Sequence, residues 1–234
     1  MNSEALVILP TYNERANLPL VVDGVMAHGG LRLLIVDDQS PDGTGDIADR
    51  LAATFGGRIE VLHRTGKRGL GLSIRDGFAR ALGGRAELIC QMDADLSHDP
   101  ASLPALIAAA AHADVTIGSR YVPGGAIVNW PYRRRVLSRF ANMYVRAITR
   151  LDVHDCTSGF RCWRRESLAQ IPIASMVSDG YSFLTEMLYA AKRRNFRIGE
   201  VPIIFVERRI GSSKLSSGVL VESLIMPWRL RLKG

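Results

Sequence analysis

The sequence predicts an α/β fold in which a mostly parallel sheet is covered by helices on both faces. Short apolar runs alternate with helix-length segments through the first half of the chain, and several runs end in acidic or glycine-rich turns. Strands that are apolar along their whole length are buried on both faces, which is typical of parallel sheets. The 234 residues, of which 47% are hydrophobic and 23% charged, suffice to enclose the core of such a sheet.

The first half of the chain is predicted to hold five strands, which are ALVILP, LRLLIVDD, RIEVLH, AELICQM and DVTIGS. Pro10 stops the first strand, and Asn13 is a candidate N-cap for a helix over about 14–27. A second helix follows the turn SPDG, and a third follows the glycine-rich loop GKRGLG. Asp99 and Pro100 form an N-cap and first-turn pair that opens an alanine-rich fourth helix.

The pattern changes after Ser119. A loop rich in Gly, Pro and Trp precedes a long helix over 133–150, and the polar loop LDVHDCTSGFRCW follows it. A helix over about 181–194 leads to a strand in FRIGEVPIIFVER, where Pro202 indicates an edge position or a bulge. The last segment, SSGVLVESLIMPWRLRLKG, is predicted to be helical as far as Pro227.

The chain is basic, with a net charge of +7 and a pI of about 9.7. This charge attracts nucleic acid, anionic lipid or phosphorylated substrates without choosing among them. The three cysteines lack CxxC spacing, which indicates reduced thiols in a cytosolic protein. The sequence also shows no signal peptide, and no apolar run approaches the ~20 residues of a membrane span. We therefore expect any membrane contact to be made from one side.

Acidic residues follow two of the predicted strands, at the edge where open parallel sheets bind ligands. Asp37 and Asp38 end the second strand, and Asp93 and Asp95 follow the fourth. Two aspartates at i and i+2 of an extended chain point to the same side, which suits Mg²⁺ or Mn²⁺ that completes its shell with phosphate oxygens. For any one of these acids the alternative is a helix cap or a solvated turn. Their repetition favours a nucleotide diphosphate site.

The loop GKRGLG excludes two other nucleotide-binding classes. It lacks the lysine-serine ending of a P-loop, and it follows the third strand rather than the first. Ile74 also stands where a dinucleotide fingerprint needs its third glycine. P-loop NTPase and dehydrogenase functions are therefore disfavoured.

Motifs spread along the chain carry a resemblance to a known family. In order they are PTYNE, VDDQSPDGT, GKRGLG, MDADLSHDP, GSRY, TSGFRCW and GEVPIIFVERRIGSSK. Together they resemble the polyprenol-phosphate (dolichol-phosphate) mannosyltransferases, which are family 2 glycosyltransferases of the GT-A fold, over about 6–214. The resemblance implies a single GT-A domain over 1–234. Its nucleotide-sugar-binding half would be 1–119, and its acceptor- and membrane-facing half 120–234.

The resemblance also implies the roles of individual residues. Asp95 would bind the metal with Ser97 as a weaker second ligand, while Asp93 and Ala94 would line the donor. Four basic residues would surround the phosphates, namely Arg120, Arg134, Arg208 and Lys214. Of these, Arg120, Arg208 and Lys214 are expected to be catalytic together with Asp95. The implied nucleotide contacts are Pro10, Tyr12, Glu14, Val36 and Asp38.

The implied reaction transfers mannose from GDP-mannose to a polyprenyl or dolichyl monophosphate, with Mg²⁺ or Mn²⁺ and with inversion. Since the acceptor phosphate has a second pKa near ~6 and is ionised at neutral pH, we expect no carboxylate to act as an essential base. The open alternative is a polyprenyl-phosphate glycosyltransferase that uses UDP-glucose or another sugar nucleotide. A nucleic-acid-binding module is disfavoured, because aromatic residues make up only 7% of the chain and the acids would repel a phosphate backbone.

The helix over 133–150 carries an apolar stripe with arginines around it, a composition that suits a helix in a membrane interface. Packing of this stripe on the domain itself is the alternative, and the segment around Trp228 allows the same two interpretations. We expect a cytoplasmic protein that lies peripherally on the cytoplasmic face of the membrane, docked directly or through a separate membrane subunit. A non-catalytic membrane scaffold is a further alternative, against which Asp93, Asp95, Arg208 and Lys214 argue.

Overall fold

The computed structural model of the chain describes residues 4–176, 178, 180–207 and 217–233. Arg208 and Lys214, two of the predicted phosphate-binding residues, lie outside this part of the chain. The strands are β1 (Ala5–Thr11), β2 (Leu31–Asp37), β3 (Ile59–His63), β4 (Leu88–Gln91), β5 (Val115–Ser119), β6 (Ala126–Val128), β7 (Arg161–Arg164), β8 (Ile198–Pro202) and β9 (Ile204–Val206). The α-helices are α1 (Leu18–Met26), α2 (Thr44–Thr54), α3 (Leu70–Leu82), α4 (Leu103–Ala109), α5 (Tyr132–Thr149), α6 (Arg165–Leu168), α7 (Gly180–Arg193) and α8 (Ser217–Lys233).

Seven strands form one sheet in the order β3-β2-β1-β4-β7-β5-β8. The strand pairings in this sheet are parallel except for those of β7, which runs antiparallel to both β4 and β5. A separate parallel pair consists of β6 and β9. The predicted α/β fold with a mostly parallel sheet is thereby confirmed. Because β1, β2, β4 and β5 run in the same direction, their carboxyl ends meet at one edge.

Alternate side chains of the central strands enter two apolar layers on opposite faces of the sheet. In β1, Ile8 packs in the layer that contains Phe78 of α3 and Phe183 of α7. Val7 and Leu9 pack in the other layer, which contains the buried face of α1. This alternation follows from the period of two along a strand, and it explains why β1 is apolar throughout.

The strand β7 departs most from the predicted elements, because the sequence predicts a polar loop there. It has only four residues, RCWR, and the side chain of Arg161 is fully buried. Arg161 donates hydrogen bonds to the carbonyls of Ser158 at 2.8 Å, Leu184 at 2.6 Å and Cys156 at 2.9 Å. Burial lowers the pKa of Arg161 to about 10. An arginine that is satisfied by carbonyls can occupy a core, and hydropathy alone does not reveal this.

Two prolines in the second half differ in outcome. The strand β8 is an edge strand, and the chain leaves it at Pro202 to enter β9, as the sequence predicts. Pro227 instead lies inside α8, so the prediction that this helix ends there is wrong. Met226 and Pro227 are buried, and α8 packs on α5 and α7. This packing offsets the backbone hydrogen bond that proline removes.

The helices α5 and α8 are joined to each other and expose large apolar side chains. The hydroxyl of Tyr144 donates to the carbonyl of Leu224 at 2.8 Å and accepts from Nε1 of Trp228 at 2.9 Å. We call the exposed apolar surface of these two helices the α5–α8 face; it comprises Val136, Leu137, Phe140, Met143, Leu224, Ile225, Trp228 and Leu232. Among the described residues, no helix has the length and apolar character to cross a membrane.

Candidate active site

The turn after β1 is pinned to the turn after β2. Asn13 adopts a left-handed conformation with φ of 58°, and its backbone N–H donates to Oγ of Ser40 at 3.0 Å. The backbone N–H of Glu14 donates to Oγ1 of Thr44 at 3.0 Å. Residues 13 and 14 are held in the turn by these contacts, and the first helix begins at Leu18 rather than near Glu14. The two turns therefore present one continuous polar surface at the carboxyl edge.

The predicted nucleotide contacts of β1 and β2 lie side by side. Pro10 and Val36 are register partners in the parallel pair and are both buried. Tyr12 is half-buried, and its hydroxyl accepts a hydrogen bond from Nη1 of Arg68 at 2.7 Å, with the guanidinium 5.3 Å from the ring centroid. The glycine-rich loop thus reaches across to the turn after β1. Any contact that Val36 makes with a ligand has to come from its backbone, since its side chain lies in the core.

Asp38 anchors the glycine-rich loop. One of its carboxylate oxygens accepts from Nη1 of Arg64, and the other accepts from the backbone N–H of Gly69 at 2.8 Å. Arg64 also donates to Oδ2 of Asp76 on α3 at 2.7 Å. Asp38 is buried, so its carboxylate shapes the loop that starts α3. The sequence assigned Asp38 to the nucleotide, and its loop-anchoring role was missed.

The acidic turn after β4 is bent and not extended. The strand ends at Gln91, the chain bends from Ala94 to His98, and Leu96 has a φ of 62°. The i, i+2 argument for two same-side carboxylates therefore does not apply to Asp93 and Asp95. Instead, Oδ1 of Asp95 accepts from the backbone N–H of Ser97 at 3.1 Å, which closes the turn.

The buried ring of His98 packs against this turn and bonds to its backbone. Its Nδ1 accepts from the backbone N–H of Asp93 at 3.1 Å, and its ring stacks on Phe160 with centroids 5.0 Å apart. The ring also meets the edge of Phe205 at 5.4 Å. A neutral imidazole that accepts at Nδ1 carries its proton on Nε2. Asp99 caps the next turn, because its carboxylate accepts from the backbone N–H of Ala101 at 2.9 Å.

The acidic turn can form part of a metal site. Within the described chain, no group of three or more His, Cys, Asp or Glu side chains is placed to hold an ion. Mg²⁺ and Mn²⁺ do not require one, because they are commonly bound by one or two carboxylates plus substrate phosphates and water. Oγ of Ser97 is buried with no described hydrogen-bond partner, directly beside the Asp95 turn. An unsatisfied oxygen at this place fits the sparse oxygen donor set that such an ion takes.

Arg120 directly follows β5 and is paired with Asp155. Its Nε lies 2.7 Å from Oδ2 and its Nη2 lies 2.6 Å from Oδ1 of Asp155, and both residues are buried. Burial alone would raise the pKa of Asp155, but the hydrogen bonds from Arg120 outweigh it and hold the pKa below its ordinary value. Nη2 also donates to Oγ1 of Thr157 at 2.8 Å. The two N–H groups of Nη1 have no acceptor among the described residues.

An aromatic cage surrounds the arginines. The guanidinium of Arg120 lies 5.2 Å from the ring centroid of Phe205 and 5.9 Å from that of Trp130. Arg134 stacks on Trp130, with its guanidinium 3.9 Å from the ring centroid, and donates a hydrogen bond to Glu207 at 2.7 Å. Nε1 of Trp130 is buried with no described partner. Trp130 thus lies between Arg120 and Arg134, two candidate phosphate ligands.

The acidic turn after β4 and the aromatic cage of Trp130 and Phe205 lie next to each other. The ring of Phe205 contacts His98 of the acidic turn, with ring centroids 5.4 Å apart, and the guanidinium of Arg120, 5.2 Å from its own centroid. The backbone N–H of Val206 in β9 donates to the carbonyl of Ser97 at 3.2 Å, which ties the cage to the acidic turn. The edge of the sheet thus presents carboxylates suited to a cation next to guanidinium groups suited to phosphates.

The fold and this edge define a glycosyltransferase: the chain belongs to glycosyl transferase family 2, which it matches over residues 6–171. Within that family it groups with the polyprenol-phosphate mannosyltransferases. It is 46% identical over 230 residues to the polyprenol monophosphomannose synthase of Mycolicibacterium smegmatis, covering 97% of this chain and 87% of that protein. It is 44% identical over 227 residues to the undecaprenyl-phosphate mannosyltransferase of Micrococcus luteus, covering 94% of this chain and 90% of that protein.

Solved structures agree on the fold. The glucosyl-3-phosphoglycerate synthase of Mycobacterium tuberculosis, solved with Mn²⁺, UDP and phosphoglyceric acid, superposes with a TM-score of 0.71 at 19% identity, covering 98% of this chain and 78% of that one. The same enzyme with Mn²⁺, UDP-glucose and phosphoglyceric acid gives a TM-score of 0.69 at 18% identity, covering 99% and 79%. The predicted GT-A fold is therefore confirmed.

Proposed function

We propose that this chain transfers mannose from GDP-mannose to the phosphate of a polyprenyl or dolichyl monophosphate, in an inverting and metal-dependent reaction. The names of its two close relatives support mannose as the sugar and a polyprenyl phosphate as the acceptor. The observation that carries the proposal is that the ring of Phe205 contacts both sides of the site, since it lies 5.4 Å from the ring of His98 in the acidic turn and 5.2 Å from the guanidinium of Arg120. One edge then serves a leaving diphosphate and an attacking phosphate.

The halves of the chain divide this work. Residues 1–119 would bind the nucleotide sugar, and residues 120–234 would bind the acceptor and face the membrane. The proposed nucleotide contacts are Pro10, Tyr12, Glu14, Val36 and Asp38, with Asp93 and Ala94 along the donor sugar and diphosphate. Asp95 and Ser97 would hold Mg²⁺ or Mn²⁺, which when bound supplies positive charge to the leaving diphosphate.

The reaction needs no proton transfer from the acceptor. An ionised phosphate oxygen attacks the anomeric carbon of mannose, the bond from that carbon to the diphosphate oxygen breaks, and GDP leaves with the electron pair. The obstacle is repulsion between two anions, about 4 kcal/mol for each pair of unit charges ~4 Å apart at an effective dielectric constant of 20. The Nη1 donors of Arg120, which have no acceptor among the described residues, and the guanidinium of Arg134 would offset this repulsion. Arg208 and Lys214 are proposed to join them.

Radiolabelled GDP-mannose offered with polyprenyl phosphate tests the proposal. We expect labelled mannose to appear in the lipid extract. This transfer should stop when divalent cations are chelated and resume when Mg²⁺ or Mn²⁺ is added. The anomeric configuration of the product, read by NMR, should be opposite to that of the donor. UDP-glucose in a parallel reaction is the control. Transfer from UDP-glucose without transfer from GDP-mannose would establish the alternative donor and overturn ours.

We also propose that the chain lies on the cytoplasmic face of a membrane through the α5–α8 face, directly or beside a separate membrane subunit. This face exposes apolar side chains, and exposed arginines of the same helices flank it, including Arg133, Arg135, Arg139, Arg229 and Arg231. An apolar surface with a cationic rim is complementary to an anionic lipid surface. Docking there would bring the site to a lipid-linked acceptor.

A further inference from the structure

Asn142 lies on the side of α5 opposite to the α5–α8 face. The neighbouring Phe140 and Met143 are more than half exposed, at 54% and 61%, whereas Asn142 is 3% exposed. A buried amide on a helix whose other side meets solvent is costly unless its polar groups are paired. Its partners therefore show what this helix is attached to.

The amide of Asn142 bonds the loop that follows α5. Its Oδ1 accepts from the backbone N–H of Cys156 at 2.8 Å. Its Nδ2 donates to Oγ1 of Thr157 at 3.3 Å and to the carbonyl of Ser138 at 3.1 Å. The oxygen and both N–H groups are thus used, and the amide orientation is fixed because only the oxygen can accept from Cys156.

Thr157 connects Asn142 to Arg120, because its hydroxyl bonds to both side chains. Its hydroxyl accepts from Nη2 of Arg120 at 2.8 Å and donates to Oδ1 of Asp155 at 3.3 Å. With the bond from Asn142, the single proton and both lone pairs of the hydroxyl are occupied. In the contact series Asn142–Thr157–Arg120, the hydroxyl of Thr157 therefore has no free hydrogen-bonding position.

The same loop is held on its other side by the sheet. Glu200 of β8 accepts from the backbone N–H groups of His154 at 2.8 Å and Asp155 at 3.0 Å. The loop is thus hydrogen-bonded to a strand of the main sheet on one side and to α5 on the other. A second bond joins α5 to the residue after Arg120, since the hydroxyl of Tyr121 donates to Oγ of Ser138 at 2.7 Å. Hydrogen bonds therefore connect α5 both to Arg120, through Thr157, and to the residue that follows Arg120.

We propose that Asn142 is a positioning residue that couples the place of α5 to the place of Arg120, so that docking of the α5–α8 face on lipid favours the productive position of Arg120. This inference rests on the proposed function, because it needs a lipid-linked phosphate acceptor. It adds that the lipid surface raises turnover and does not merely concentrate the substrate.

The test uses the full chain and a short-chain, water-soluble polyprenyl phosphate, so that the vesicle is not needed to present the acceptor. Turnover is measured with phosphatidylcholine vesicles and with vesicles that also contain phosphatidylglycerol. We expect the anionic vesicles to raise kcat of the wild type. Asn142→Ala and Thr157→Val should each lower the stimulated kcat about tenfold, the loss expected for a sub-ångström misplacement. Their KM for the nucleotide sugar and their vesicle binding should stay unchanged.

Two controls separate positioning from stability. Thr149→Val alters another buried residue of α5 and should keep the stimulation; within the described chain, the hydroxyl of Thr149 bonds only to the carbonyl of Val145, at 2.6 Å. In the double variant of Asn142 and Thr157, the losses should not add, because both act through one contact.

Three outcomes overturn the coupling. They are a wild type that transfers mannose without stimulation by anionic vesicles, a folded Asn142→Ala or Thr157→Val variant that keeps full stimulation, and additive losses in the double variant. If Asn142→Ala does not fold, Thr157→Val decides alone, because it leaves the bond from Asn142 to Cys156 intact. A wild type that transfers no mannose to any polyprenyl phosphate would instead reject the proposed function.

Discussion

Gly159 lies directly against the carboxylate of Asp93. A Cβ atom at Gly159 would be 3.2 Å from Oδ1 and 3.6 Å from Oδ2 of Asp93. The loop before β7 therefore limits where the Asp93 carboxylate can lie. A methyl group at this position would require the carboxylate to move.

Gly159→Ala should weaken the use of the nucleotide sugar. The added methyl group forces the carboxylate of Asp93 to shift by a few tenths of an ångström. We expect kcat/KM for the nucleotide sugar to fall about tenfold, which corresponds to roughly 1.4 kcal/mol. Steady-state kinetics with varied donor measures this. Gly29→Ala is the control, because no atom lies within 4 Å of its Cβ position. Equal kinetics in the two variants would contradict the prediction.

Asp95→Asn should remove most of the activity, whereas Asp99→Asn should not. We expect the first variant to lower kcat by about a hundredfold or more, since it weakens binding of the cation that would offset charge on the diphosphate. Asp99 serves as a helix cap, a position that asparagine fills equally well. Transfer assays across a range of Mg²⁺ and Mn²⁺ concentrations measure both. A similar loss in the two variants would show that the turn as a whole, and not Asp95, is required.

Asp155→Asn should destabilise the fold. It leaves the buried guanidinium of Arg120 without its counter-charge, a change that costs about 3–5 kcal/mol when a buried pair loses one partner. Denaturant unfolding measures the free energy of unfolding. Asp152→Asn alters an exposed acid of the same loop and should change that free energy by less than about 0.5 kcal/mol. Activity of the Asp155 variant bears on catalysis only after folding is verified.

The same pair predicts a dependence of stability on pH. The pKa of Asp155 is held below its ordinary value of 3.8 in the folded state, so its carboxylate stabilises the fold above that pH. This contribution is lost as the pH falls through the folded-state pKa. We expect the difference in unfolding free energy between wild type and Asp155→Asn to be constant above about pH 5 and to shrink below pH 3.8. A difference that grows on acidification would contradict the assignment.

Charge reversal beside the α5–α8 face should weaken binding to anionic vesicles. The variant Arg133→Glu with Arg135→Glu should lower the partition coefficient at least roughly thirtyfold, since each arginine near such a surface contributes about 1 kcal/mol. Vesicle sedimentation at low salt measures this, and added salt should weaken the wild type in the same assay. The matched control is Arg50→Glu with Arg85→Glu, which changes the net charge equally at other exposed positions. Equal weakening by both would point to net charge instead of a docking surface.

The parallel part of the fold was predictable because its signals are local. Each buried parallel strand is a continuous apolar run, and the acidic ends of β2 and β4 are visible in the residues that follow them. The cap at Asp99 was also predicted from neighbouring residues and is present. The strand β7 was missed because Arg161 is buried through bonds to three carbonyls, and those carbonyls come from distant or irregular segments.

The sequence by itself determined the fold class, the family and the acidic and basic residues that end the strands, since these depend on local composition and on ordered motifs. The tertiary structure decided which partners those residues take. It paired Arg120 with Asp155, turned Asp38 toward the glycine-rich loop and placed Trp130 between two arginines. It also joined Asn142 to the loop beside Arg120. Such pairings follow from chain packing between residues far apart in sequence, and periodicity along the chain carries no information about them.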